Sequence, residues 1–158
     1  MIDWNSETAR APLFRLITIG SLLLGLYSLR FLLVGWTAPI GGHAIFFSSP
    51  VVAADLASVP WPAQTLRLVV AIGDFALPVV ILYRPRWALY LAPILLGAAQ
   101  AGWVEATLSG GNYAVHATMT EVGGLDWAEM LDWAKLALRL FVVAATLYFV
   151  LTRSSAHL

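Results

Sequence analysis

The chain has 158 residues, 60% of them apolar and 11% charged, against about a quarter charged in an ordinary soluble domain; this excludes a water-soluble globule. Nine basic residues balance nine acidic ones, so no basic excess exists to hold nucleic acid, and the partners implied are lipid and protein. The lack of cysteine excludes a disulfide scaffold, a thiolate zinc site, an iron-sulfur cluster and a thiol relay within this chain.

The first ten residues are polar, with Asp3, Asn5, Glu7 and Arg10. The apolar stretch that follows, about 13–36, is too long for a signal-peptide core and lacks a small-residue cleavage site, so it reads as a retained helix. Residues 37–62 carry Pro39, Gly41, Gly42, Pro50, Pro60 and Pro62. Between these prolines, 51–58 reads as one or two turns of interfacial helix in a folded cap. Apolar stretches at about 63–83 and 87–108 flank the tight link Tyr83-Arg84-Pro85-Arg86-Trp87, which predicts a helical hairpin with proline in the first turn of the new helix. Residues 109–126 are Gly-rich and fit either a hairpin or a loop, and a last apolar stretch covers about 134–151. Each stretch is near the ~20 residues that a helix needs to cross the hydrocarbon core. The expected fold is all-α: a single-domain four-helix transmembrane bundle with a short interfacial helix in the first outer loop.

Arg10, Arg15, Arg84, Arg86 and Arg153 fall on one side of this arrangement, while Asp55, Glu121, Asp126, Glu129 and Asp132 fall on the other. The positive-inside rule therefore places both termini in the cytoplasm, in a bacterial-type inner membrane. Trp4, Trp36, Trp61, Trp87, Trp103, Trp127 and Trp133 mostly lie near span ends, at the headgroup level that indole prefers.

Ionisable residues inside spans are the informative positions, because lipid-exposed charge is costly. Seven occur: Arg30, Arg67, Asp74, Glu105, Asp132, Lys135 and Arg139. All lie in the outer half of the bundle or near its midplane, and the inner half is almost purely apolar. Asp74 is deepest, on the order of 16 Å from the outer boundary. Arg67 lies two turns above it on the same face, and Asp132, Lys135 and Arg139 make one stripe at i, i+3 and i+7. If the stripes face each other, Arg139 reaches Asp74 from a neighbouring helix. Four positive and three negative charges leave one spare cation, which an anionic ligand can occupy. Taken singly, Arg30, Arg67, Glu105, Asp132 and Lys135 also fit interface anchors that snorkel. Asp74 is too short for that escape: it belongs either to a working site or to an ion pair that fixes helix register. Pro78, four residues later, frees the carbonyl of Asp74 and predicts a kink beside a small polar cavity.

Gln100 and Trp103 fit either a quinone carbonyl contact with ring stacking or ordinary interhelical packing. Gly20, Gly25, Gly35, Gly97 and Gly102 read as packing positions. His43, His116 and His157 lie outside every span, so no axial pair exists to hold a haem in the bundle. The loop histidines could meet Asp55 or Glu121 at an outer metal site, but that spacing is not diagnostic. No phosphate loop or nucleophile elbow occurs in a matching context, so the chain is not expected to be catalytic by itself, and no metal is implied.

The order of these features resembles the DoxX-like family of small four-helix membrane proteins. The resemblance is carried by Arg30-Phe31-Leu32-Leu33-Val34-Gly35-Trp36 at the end of the first span, and by the second span from Leu66 through Asp74 to Pro78, ending at Arg84-Pro85-Arg86. It covers about the first 105 residues and departs in three ways: aspartate stands where glutamate is more usual, Pro78 interrupts the second helix, and the 109–126 loop is long. The family includes subunits of thiosulfate:quinone oxidoreductase, so the resemblance implies a membrane component of a redox or quinone-linked system. It transfers no catalytic residue set.

The resulting expectation is an integral subunit of a larger electron-transfer complex, its charges gluing helices or lining a quinone-sized pocket, with no covalently held cofactor. Two alternatives stand beside it: a small transporter or proton-conducting bundle using Asp74, Arg139 and Glu105, and a purely structural accessory subunit of a respiratory or photosynthetic membrane complex.

Overall fold

Five α-helices and two 3-10 turns make up the parts of the chain, residues 7–46, 50–108 and 127–155, that a computed structural model describes. Helix α1 runs Glu7–Thr37, and 3-10 helices follow at Ala38–Ile40 and Gly42–Phe46. Then come α2 at Pro50–Ala57, α3 at Trp61–Tyr83, α4 at Pro85–Leu108 and α5 at Trp127–Ser155. Among the described residues, three stretches are long and apolar enough to cross a membrane: Ala11–Ile40, Trp61–Tyr83 and Trp133–Thr152. The 109–126 connection lies outside the described residues.

Helices α1 and α5 begin earlier than the apolar pattern suggests. At 31 and 29 residues and about 1.5 Å per residue, both exceed a hydrocarbon core of about 30 Å. Apolarity marks where a helix needs lipid, whereas backbone hydrogen bonding carries it on into the polar interface.

The hairpin between α3 and α4 has a single-residue link. Arg84 donates its amide to the carbonyl of Val80 at 2.8 Å, closing α3, and Trp87 donates to the carbonyl of Arg84 at 2.8 Å, opening α4. Pro85 begins the new helix, where its missing N–H loses nothing. At the other end of α3, Pro60 and Pro62 bracket the helix start. The first connection is folded, as its proline spacing suggests, and α2 sits one residue earlier than expected. Its C-terminal turn lies on Gly35 of α1, where an added Cβ would stand 2.9 Å from the carbonyl oxygen of Leu56.

Contacts between helices fix their directions. Ser21 meets Asp74, and Trp36 meets Gln64, so α1 and α3 are antiparallel. Phe14 packs on Phe149 with ring centroids 5.8 Å apart, and Tyr27 packs under Lys135, so α1 and α5 are antiparallel too. Hence α3 and α5 run parallel. Among the described residues, α3 packs on α1 and α4, and α5 packs on the same two. The four long helices therefore close into a ring with α3 and α5 across a diagonal.

Toward the α3–α4 hairpin, the interior is an apolar cluster that includes Ile17, Leu77, Ile81, Ala88, Ala92 and Phe149. Outward-facing positions are apolar as well, with Leu16, Ile19, Leu26, Ile72, Val79 and Ile94 all exposed. Apolar side chains on both the inside and the outside are what a bilayer solvent selects. Exposed Trp36, Trp61, Trp87 and Trp133 sit near the ends of these stretches.

Candidate functional site

The centre of the ring holds one charged pair. In α3, residue 78 is proline, so the helix has no amide to offer the carbonyl of Asp74 one turn earlier. The hydroxyl of Ser21, on α1, donates to that carbonyl instead. The helix continues unbroken through Pro78 to Tyr83.

The side chain of Asp74 points across the diagonal. Arg139 of α5 donates from Nη1 to Oδ1 at 2.8 Å and from Nη2 to Oδ2 at 2.7 Å. Only a long, forked side chain spans helices whose backbones are not neighbours and still grips both carboxylate oxygens. Asp74 is 1% exposed, Arg139 6% and Ser21 0%. Both carboxylate oxygens are engaged, and the carbonyl of the same residue is engaged too, so one residue ties α3 to α1 and to α5. Chemically this is a neutral junction in which each carboxylate oxygen accepts one hydrogen bond from the guanidinium. Moving a proton through it would first require breaking the pair, which leaves a buried charge uncompensated.

A second polar tier lies on the outward side of this junction. Because α1 runs opposite to α3 and α5, Tyr27, Arg67 and Lys135 all fall on the same side of the Asp74 layer. Lys135 holds its Nζ 4.6 Å from the centroid of the Tyr27 ring. That ring also meets Phe31 edge-on, with centroids 4.7 Å apart. Arg67 is half-buried on α3. Farther out, Trp36 donates from Nε1 to Oε1 of Gln64 at 2.8 Å, and Gln64 donates from Nε2 to the carbonyl of Val59 at 2.7 Å. This clamp joins the outer ends of α1 and α3 to the turn before α3.

Of the positions singled out from sequence, the structure brings Asp74 and Arg139 into contact and sets Lys135 over the ring of Tyr27, with Arg67 half-buried on the same side of the Asp74 layer. Arg30 is exposed, and Gln100 is half-buried on α4. Trp103 and Glu105 lie on α4 and Asp132 on α5, and their side chains fall outside the described residues, as do those of His43, Asp55, His116, Glu121 and His157. Among the described residues no group of three His, Cys, Asp or Glu side chains converges on a metal-sized site. A shallow apolar groove of about 370 Å³, lined by Ala38, Pro39, Pro50, Ala53, Ala54 and Ala57, indents the cap and includes none of the charged residues.

Sequence reasoning misses three polar side chains that matter here. Ser21 has a usable signal, a mid-span hydroxyl on a helix near a proline-freed carbonyl. Tyr27 has none, since an aromatic residue inside an apolar span reads as packing. Thr146 is fully buried on α5, and its Oγ1 has no hydrogen-bond partner among the described residues. No protein-family model, curated protein or solved structure matches the chain.

Proposed function

We propose that this chain is a DoxX-like accessory subunit, integral to a bacterial-type inner membrane with both termini cytoplasmic, that docks in a larger quinone-linked electron-transfer complex. In this reading α4 is the fourth crossing, α2 lies along the outer membrane surface, and the charged interior holds the bundle together rather than performing chemistry. The observation that carries it is the two-pronged grip of Arg139 on Asp74. The deepest acid in the chain has both oxygens on Arg139, which suits a helix tie, and taking up a proton there would break the pair and strand the guanidinium. The apolar interior toward the hairpin supports the same reading, because a conduction path needs polar steps on both sides of the midplane. A scaffold of this kind contributes surface to a complex, and its redox centres and any quinone belong to the assembled whole.

Purification in mild detergent, followed by identification of what travels with the chain, tests this. Companion subunits carrying haem, flavin or iron-sulfur centres, with or without quinone, are the expected result. Isolation as a lone monomer with neither companions nor quinone overturns it. Reconstituted proton or solute flux that disappears in Asp74→Asn would install the transporter in its place, and companions without redox centres, such as pigment proteins, would leave the purely structural accessory subunit.

A further inference from the structure

At the outer end of α1 the chain reverses instead of running out along the helix axis. Thr37 returns its hydroxyl to the carbonyl of Leu33 at 2.6 Å. Gly41 then takes the left-handed conformation at φ 73° and donates its amide to the carbonyl of Ala38 at 3.1 Å, a geometry that glycine adopts without steric cost. Gly42 packs on the side chain of Thr37 so closely that an added Cβ would collide with it. The 3-10 helix Gly42–Phe46 therefore lies back against α1.

This reversal holds apolar side chains in the open. Ile40 is 83% exposed, more than any other large apolar side chain among the described residues, and Ile45 is 75% exposed. Pro39 and Ala44 beside them are exposed as well. Single exposed apolar residues are ordinary on any surface, but a contiguous set on a tight turn marks a contact.

Depth and continuity identify what makes that contact. Leu56 of α2 meets α1 at Gly35, and the adjacent Trp36 is bonded to Gln64 in the first turn of α3. The 3-10 turns and α2 thus flank the outer end of α1, level with the start of α3, rather than standing above the bundle. Trp36 and Trp61 are exposed at that level, where indole marks the headgroup layer. The stretch of α1 that is apolar enough to cross a membrane ends on Ile40 itself, so the outward face that carries Ile19, Leu23 and Leu26 passes without interruption into the turn.

We propose that the 38–46 turn is a membrane wedge: it lies in the outer headgroup layer and inserts Ile40 and Ile45 among the acyl chains, so that lipid covers this face. The wedge rests on the membrane placement given above and supplies its outer anchor, whichever complex the chain joins.

The chain has no cysteine of its own, so single nitroxide labels test this on the full-length chain in vesicles of phosphatidylcholine and phosphatidylglycerol. Labels go on Ile40→Cys and Ile45→Cys, with Ile72→Cys, exposed in mid-span on α3, as the lipid reference and Arg84→Cys, exposed at the hairpin, as the water reference. Power saturation compares collisions with oxygen, which concentrates in lipid, and with a polar nickel complex, which stays in water. The expected oxygen-to-nickel ratio at Ile40 and Ile45 is several-fold above that at Arg84 and close to that at Ile72. A ratio at either isoleucine as low as at Arg84, while Ile72 reads lipid, overturns the wedge and leaves the crossings in place. A water-like ratio at Ile72 overturns the membrane placement as well. Labels shielded from both reagents show that protein covers the turn, and also overturn the wedge. Should a label at Ile40 disturb the reversal, Ala44→Cys and Ile45→Cys decide by the same comparison.

Discussion

Ser21 donates its hydroxyl to the backbone oxygen of Asp74, the oxygen that Pro78 leaves without an amide. A vacancy in one helix is thus filled from another, and it lies in the same residue whose carboxylate is held by a third. Backbone and side chain of Asp74 are both used for tertiary structure, at the depth where water is least available to substitute.

The serine and the proline should therefore be coupled. Ser21→Ala leaves a buried acceptor unpaired and should cost about 1–3 kcal/mol. Pro78→Ala restores an amide one turn after Asp74, so the same serine change should cost much less in that background, with a coupling of about 1 kcal/mol. Unfolding titrations of the four proteins in mixed micelles measure it; simple additivity would show that the hydroxyl does not replace the lost helical bond.

The ion pair should behave as a unit. Asp74→Leu alone strands the guanidinium and should cost about 3–5 kcal/mol, whereas Asp74→Leu combined with Arg139→Leu should recover most of that loss. A double variant as unstable as the single one would mean that the pair contributes more than mutual neutralisation.

Two glycines should respond in opposite ways to the same substitution. At Gly35 a methyl group would meet the Leu56 carbonyl at 2.9 Å, a rigid backbone atom, whereas at Gly97 nothing lies within 4 Å. Gly35→Ala should loosen the cap, seen as faster hydrogen exchange or proteolysis across 38–57. Gly97→Ala should be neutral or stabilising by up to about 1 kcal/mol, from helix propensity alone.

Membrane orientation is open to a direct measurement because the chain has no cysteine of its own. Single substitutions Ala57→Cys, on the cap, and Tyr83→Cys, on the hairpin, both fall at exposed positions. With the hairpin arginines cytoplasmic, an impermeant maleimide should label the first in intact cells and the second only after permeabilisation. The reverse pattern would invert the topology.

Much of this architecture is legible in the sequence, for definite reasons. Apolar run length marks the long helices, Arg84-Pro85 sets the hairpin, and the scarcity of charge makes Asp74 and Arg139 stand out as positions that must be satisfied. The 3.6-residue period places Lys135 and Arg139 on one stripe, but it does not say which neighbour each meets. That depends on how helices rotate about their own axes, and the ring arrangement sends Arg139 across the diagonal while Lys135 goes to Tyr27. Close approaches are less legible still. Gly73 packs so tightly that an added Cβ would lie 2.4 Å from Leu95 Cδ2, yet nothing in its local sequence separates it from Gly97, which faces open space. Helix ends are the least legible, because the apolar pattern stops where lipid stops and the backbone does not.

The partners in the central pair are 65 residues apart along the chain. During synthesis α3 emerges, and must find a place in the bilayer, well before the ribosome has made the residue that neutralises it. Until α5 arrives, nascent α3 lacks the guanidinium that neutralises its acid, so closure of the pair is a late step in assembling the bundle.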